Sequence, residues 1–255
     1  QAIIENNRRS AAYSPAELLI EAGRLDNEWM HTIGFTGILE QVLEHPASRY
    51  LQQFQRKKAD IVREVLVTDE KGWLVAASGK TSDFYQADEP WWQKAFSYGK
   101  GDEYFSNIEY DTSARSWGIT IARPMFAGGK VIGVLKLVLD QSSINKFIEK
   151  IVPAQQGQIT VIDSDGKVLF DSFLLPGTLD KKIEREIVHT IDRRRAGGYI
   201  IAPNLLGVQS IIGFSPVYLG TRESDEFRWY LLYMQTLQAA VAPFLVRVPI
   251  LLVLF

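Results

Sequence analysis

The chain has no cysteine. That removes disulfides, thiolate metal ligands and thiol nucleophiles together, and it leaves the redox compartment unread. Histidine is nearly as scarce: the three present, His31, His45 and His189, fall far apart in helical stretches or at a helix end, with no spacing suited to metal ligands. An excess of one charge is also lacking. With 28 Lys and Arg against 30 Asp and Glu, the net charge is −2; no basic stripe exists to neutralise a phosphate backbone, and nucleic acid is set aside as a partner. No apolar run reaches the roughly 20 residues that span a bilayer. Asp163-Ser-Asp-Gly166 opens like a calcium-binding loop, but Leu174 stands where the closing Glu should be, so the segment reads as a hairpin turn. The adjacent acids Asp88 and Glu89 read as solvated loop residues rather than an acid/base pair. The expectation is no enzyme, no cofactor and no metal.

What is present is enough hydrophobic material, 46 % of 255 residues, for two cores of ordinary size. The chain opens at Gln1 without a basic-then-apolar leader and closes on an apolar run from Ala242 to Phe255, interrupted by Arg247. It therefore reads as a piece of a longer protein, with the last run as the start of a membrane-spanning helix and Arg247 snorkelling at the interface. A buried C-terminal helix is the alternative.

Ser14-Pro15-Ala16-Glu17 is a capping box with proline at the first helical position, so a helix should begin at Pro15. Leu18, Leu19, Ala22, Leu25, Trp29 and Ile33 follow at helical spacing, and a second helical stretch, 47–63, follows the break at His45-Pro46. Together they predict a long stalk-like helix with a kink, its apolar stripe either core or a dimer seam.

Beyond it the pattern becomes strand, turn, strand: Glu64 to Asp69, then Glu70-Lys-Gly72, then Trp73 to Ala77. Asp closes such a hairpin by capping its own backbone, and Gly accepts the positive φ. A loop leads to a helix from Pro90 to Tyr98, and strands are predicted at 104–110, 116–124 and 130–140. Near Gln158 the pattern restarts. Asp163 and Gly166 repeat Asp69 and Gly72, a helix is predicted over 179–195, and strands follow at 198–202, 208–218 and 227–233. Phe214-Ser-Pro-Val-Tyr218 echoes Ala122-Arg-Pro-Met-Phe126. Two copies of one small α+β unit therefore stand in tandem.

The two Asp-x-x-Gly hairpins, Pro90-Trp91-Trp92, Ala122-Arg123-Pro124 and Val131-Ile-Gly-Val134, in this order after an N-terminal helix, resemble the double Cache family of tandem PAS-like extracytoplasmic sensor domains. The resemblance spans nearly the whole chain. It implies an α+β fold divided into N-terminal stalk helices (1–63), a membrane-distal ligand-binding PAS-like subdomain (64–140), a membrane-proximal one (141–234) and a C-terminal helix leading into a truncated transmembrane segment (235–255). It also implies a signal transduction receptor at the cell membrane, most naturally a sensor histidine kinase, with a chemoreceptor or diguanylate cyclase as alternatives. Its partners would be a small-molecule ligand, the membrane through flanking helices, and a second copy in the full-length receptor. In amino-acid-sensing members an Arg, a Tyr and an Asp belong where this chain has Glu89, Trp92 and Val138, which argues against the usual α-amino-acid clamp.

Side chains alternate along a strand, so Val134, Lys136 and Val138 share one face and Leu135, Leu137 and Leu139 the other. A lysine on that face must either snorkel to water or meet a carboxylate, a ligand's or a protein acid such as Asp88 or Asp111. Trp91 and Trp92 are neighbours and diverge by about 100° on a helix; Trp92 is expected in the pocket and Trp91 in the core, although Trp91 is the position carried over from the family. Tyr85, Tyr110 and Trp117 are expected to form an aromatic wall, with Asp111 and Arg115 in a loop closing over it. Lys136 with Arg115 suggests a small organic anion such as a carboxylate. Asp88, Glu89 and Asp111 beside Trp92 and Tyr110 suggest instead a cationic amine in an aromatic cage. The anion is preferred, because strand parity places Lys136 whereas only loop proximity places the acids. A ligand-free dimerisation module is the remaining alternative.

Overall fold

The structure, a computed structural model, describes residues 1–151, 157–173, 181–194, 196–218 and 228–242. It comprises two compact units, residues 1–144 and 145–255.

The first unit opens with α1 (Ala2–Ser10), α2 (Pro15–His31), α3 (Gly37–Leu43) and α4 (Pro46–Lys57). The capping box forms as expected: the Ser14 hydroxyl accepts from the Glu17 amide at 3.4 Å, and the Ser14 amide donates to the Glu17 carboxylate at 2.8 Å. The helical N-terminal region is present but divided, because α2 stops at Thr32, whose backbone turns extended. Of the apolar stripe, Ala22, Leu25 and Trp29 are buried, while Leu19 and Ile33 are exposed. Trp29 also donates its indole N–H to the Thr81 carbonyl at 3.0 Å, which ties α2 to the body of the unit. Helix α3 fills the interval between the two predicted helical stretches as a separate element.

The remaining elements of this unit are β1 (Val62–Thr68), β2 (Leu74–Ala77), α5 (Pro90–Phe96), β3 (Tyr104–Phe105), β4 (Glu109–Asp111), β5 (Ser116–Ala127) and β6 (Lys130–Asp140). They form an antiparallel sheet in the order β2-β1-β6-β5-β3, with β4 also paired to β5. Helix α5 ends early because Ser97 and Tyr98 adopt φ of 48° and 53°. The sheet is buried on both faces. Trp29, Leu43, Leu66, Leu74, Trp91, Trp92 and Val134 make one core; Ile3, Leu51, Val62, Val65 and Val67, with Leu135, Leu137 and Leu139 packed against them, make the other.

Helix α6 (Gln141–Ile151) follows β6. It was not predicted, although Asp140 supplies the start signal by accepting from the Ser142 amide at 2.7 Å. The second unit contains β7 (Gln158–Asp163), β8 (Val168–Asp171), α7 (Arg185–Arg193), β9 (Gly198–Pro203), β10 (Gln209–Tyr218) and β11 (Arg228–Thr236). Its sheet order, β8-β7-β11-β10-β9, repeats that of the first unit. Ile162, Ile187, Ile191, Ile212, Tyr230 and Leu232 form its core.

The duplication extends to single atoms. One Asp69 carboxylate oxygen accepts from the Lys71 and Trp73 amides at 2.8 and 2.9 Å; one Asp163 oxygen accepts from the Asp165 and Lys167 amides at 2.9 Å each. Gly72 and Gly166 sit at φ of 82° and 79°, a region that costs any residue with a Cβ. The expected C-terminal membrane segment lies, from residue 243 on, outside the described residues, as do parts of the helix expected over 179–195. Among the described residues no helix is long and apolar enough to cross a membrane.

In the first unit Asp69 also accepts from the Asn6 side chain at 3.0 Å, and burial pushes its carboxyl up to about 6. A folded-state pKa above the unfolded one means that the folded chain holds the proton longer. The resulting stabilisation is complete below the ordinary carboxyl value of 3.8 and is lost as pH rises through about 6. This group should therefore make the unit more stable at acid pH, and Asp69→Asn should flatten that rise. Urea unfolding of both proteins at pH 5.0 and 7.5 measures the difference.

Candidate functional site

The register of the first sheet sets Lys136 opposite Leu66 on β1 and Ala122 on β5. Val134, Lys136, Val138 and Asp140 are buried along one face of β6, as the alternation predicts. Glu64 lies diagonally across on β1, opposite Val138. Over this face runs α5, with Trp91, Trp92 and Ala95 buried beneath it.

Lys136 is 4 % exposed and donates to two carboxylates, Asp111 at 2.7 Å and Glu64 at 3.3 Å. Its ammonium also stands 5.4 Å from the Trp91 ring centroid, within cation–π range. The Ser113 hydroxyl donates to the other Glu64 oxygen, and the Ala114 amide donates to Asp111 at 2.7 Å. The turn between β4 and β5 is thereby fastened to the sheet through two acids. Burial pulls the Lys136 ammonium down, but Glu64 and Asp111 outweigh it and the net direction is up. Burial pushes the Glu64 carboxyl up against the opposing pull of Lys136. One cation is thus shared between two carboxylates, and the negative charge is in excess.

That excess extends to the start of α5. Burial and the neighbouring charge of Asp88 push Glu89 up, with Asp111 and Glu109 acting in the same direction. Burial followed by Glu89, Asp26 and Asp88 takes Asp83 to about 6.

Among the residues singled out from sequence, the structure brings together Trp91, Asp111 and Lys136, with Asp88 exposed at the entry to α5 beside Glu89. The two tryptophans exchange their expected places. The Trp92 indole donates to the Thr68 hydroxyl at 2.8 Å and its ring stacks on Phe96 at 4.5 Å, so Trp92 is core and Trp91 faces the cluster.

The expected aromatic wall does not form. Gly118 is registered with Asp140 and Ala122 with Lys136, so Trp117, one residue off that parity, projects from the opposite face. Tyr110 is registered with Trp117 and meets it edge-on at 5.8 Å, both half exposed. Tyr85 is held at the β1–β2 hairpin, bridging Trp73 and donating its amide to Asp26 at 2.8 Å. Arg115 is exposed in the turn, at φ of 50°. Glu64 and Ser113 were missed. The signal for Glu64 was there, since period two puts Glu64, Leu66 and Thr68 on one face of β1.

The second unit supplies an internal control. Aligning Asp163 on Asp69 makes Gln158 the counterpart of Glu64 and, through the pairings of β7 with β11, Leu232 the counterpart of Lys136. Leu232 is fully buried in an apolar core, and Gln158 donates to Asp171 at 2.8 Å. The fold is thus satisfied at the Lys136 position by a leucine, with the buried Asp171 carboxylate held by Gln158 and the Thr160 hydroxyl rather than by a cation. A buried ammonium carries a desolvation cost that a leucine avoids, so the Lys136 charge is not a requirement of the architecture.

The family model of the Cache domain matches residues 22–244. No curated protein matches the sequence. Among solved structures, the chain is similar to the extracellular domain of the histidine-kinase candidate rpHK1S-Z16, with 15 % identity, TM-score 0.57, and 78 % of this chain and 81 % of that one covered. It is similar to the ligand-binding domain of the Pseudomonas aeruginosa amino acid chemoreceptor PctB in complex with L-Arg, with 20 % identity, TM-score 0.52, and coverage of 77 % and 87 %. It is also similar to that of the Campylobacter jejuni chemoreceptor Tlp3 in complex with L-valine, with 15 % identity, TM-score 0.57, and coverage of 93 % and 88 %.

Proposed function

The chain belongs to the Cache domain family, and from that premise we propose that it is the ligand-sensing part of a membrane receptor, facing outside the cytoplasm, whose first unit binds a small molecule bearing a cationic group such as an ammonium. Residues 64–140 would be the membrane-distal, ligand-binding subdomain and 141–234 the membrane-proximal one. The signal would leave through the C-terminal helix to an output domain, such as a histidine kinase or a chemoreceptor signalling domain, in a receptor that works as a homodimer. The sensing piece itself performs no catalysis.

One observation carries the choice of ligand charge: Lys136 is already engaged by both Glu64 and Asp111. The carboxylate ligand preferred from sequence needed Lys136 as its anchor, and it would have to displace one of these acids and enter beside Glu89. A cation placed beside the same carboxylates does not compete with Lys136 for an anchor and relieves the repulsion among them. Trp91 offers it an aromatic face. The amino acids bound by PctB and Tlp3 carry both an ammonium and a carboxylate and so do not decide the charge, while Glu89, Trp92 and Val138 leave this chain without the usual clamp.

A thermal-shift screen of primary amines, diamines, quaternary ammonium compounds and amino acids, set against acetate and succinate, tests it. A ligand at a hundredfold excess over Kd stabilises by about 2.7 kcal/mol, which moves the melting temperature of a unit of this size by roughly 5–10 °C. Shifts from amine-bearing compounds are expected. No shift from any amine, with carboxylate shifts that Asp111→Asn enlarges, would restore the anion reading.

A further inference from the structure

The described part of the second unit contains a cavity of about 300 Å³ between the start of α7 and the turn joining β9 to β10. Its polar lining is Lys181, Lys182, Glu184 and Asn204; Ile187 and Leu205 contribute its apolar part. In the first unit the same corner, between the start of α5 and the turn joining β4 to β5, is where Glu89 and Asp111 stand. The two corners share a place in the fold and differ in sign.

Three features favour an anion in the second corner. The backbone around the lysines is pinned, because the Lys181 carbonyl accepts from the Val168 amide at 3.1 Å and the Ile183 amide donates to the Gly166 carbonyl at 2.9 Å. Lys182 is thereby registered with Lys167 across an isolated backbone bridge, which adds a third positive charge next to the cavity lining. The Asn204 carbonyl oxygen accepts from the Leu206 and Val208 amides at 2.9 and 3.0 Å, which commits that end of the side chain to the turn and leaves its NH₂ end as the donor. Glu184 offsets one of the lysines, so the lining keeps a net positive charge.

We propose that the second unit carries its own binding site for a small organic anion, a mono- or dicarboxylate, held by Lys181, Lys182 and Asn204 in this cavity. The volume suits a ligand of a few carbons, with Ile187 and Leu205 against its chain. The receptor would then answer to two ligands of opposite charge, one in each unit.

Isothermal titration of the 255-residue chain with acetate, succinate, citrate and inorganic phosphate, at ionic strength matched with chloride, tests this. At least one carboxylate should bind, its affinity should fall at least tenfold in the Lys181→Gln/Lys182→Gln double variant, and it should persist in Asp111→Asn. No binding by any carboxylate overturns the proposal. So does binding that survives the double variant; if that binding also changes in Asp111→Asn, the anion occupies the first unit and the cationic reading of that site fails as well.

Discussion

Lys136→Leu is expected to destabilise the first unit by about 3–5 kcal/mol, the range found when one partner of a buried ion pair is removed. Glu64, 4 % exposed in the native chain, would lose its ammonium partner and keep only the Ser113 hydroxyl. The loss comes from an unpaired charge rather than from lost packing, so it should be reversible by removing that charge. The double variant Lys136→Leu/Glu64→Gln copies the residue types that occupy the equivalent positions of the second unit, Leu232 and Gln158. It should recover most of the stability, with Asp111 turning to solvent. Urea unfolding followed by tryptophan fluorescence gives both values. A single variant within about 1 kcal/mol of wild type, the worth of an exposed pair, would contradict the burial argument. A double variant no more stable than the single one would contradict the pairing.

The residues most visible in the sequence were those whose neighbours are near in the chain. The capping box at Ser14, the Asp69 and Asp163 hairpins and the alternation from Lys130 to Asp140 all depend on contacts a few residues away, and all formed. Of the two partners of Lys136, Asp111 was among the acids the sequence suggested, whereas Glu64 was not. Choosing Glu64 requires knowing that β1 pairs with β6 in the register that sets Leu66 opposite Lys136, a pairing across some seventy positions that no local pattern encodes. The same register, carried one strand further, turned Trp117 and Tyr110 away from the cluster. The exchange between Trp91 and Trp92 has another origin. The sequence shows that two adjacent tryptophans diverge on a helix, but the rotation of α5 over the sheet is fixed by tertiary contacts, here the bond from Trp92 to Thr68. Charge was misread for a related reason: Lys136 was visible as a lone cation on an apolar strand, whereas the acids around it come from β1, β4 and the start of α5.

Asp111→Asn is expected to weaken an ammonium-bearing ligand of the first unit by roughly 10- to 100-fold, the value of one charge-assisted hydrogen bond of about 1.5–3 kcal/mol. Asp111 suits the test because it lies on a short, half-exposed strand and the new side chain can still accept from the Ala114 amide. Glu64 stays paired with Lys136 in this variant, so the fold is not at risk from a stranded charge. The same substitution has the opposite effect on an anion, because it loosens a competitor for Lys136 and removes a like charge. The sign of the change therefore reports the sign of the ligand.

The most direct measurement is an isothermal titration of wild type and Asp111→Asn with the strongest compound from the amine screen and with succinate. Weaker binding of the amine to the variant, with any binding of succinate the same in both proteins, is the predicted result. An amine that binds both proteins equally, or a succinate that binds the variant more tightly, would show that the Glu64–Lys136–Asp111 cluster is not a cation site.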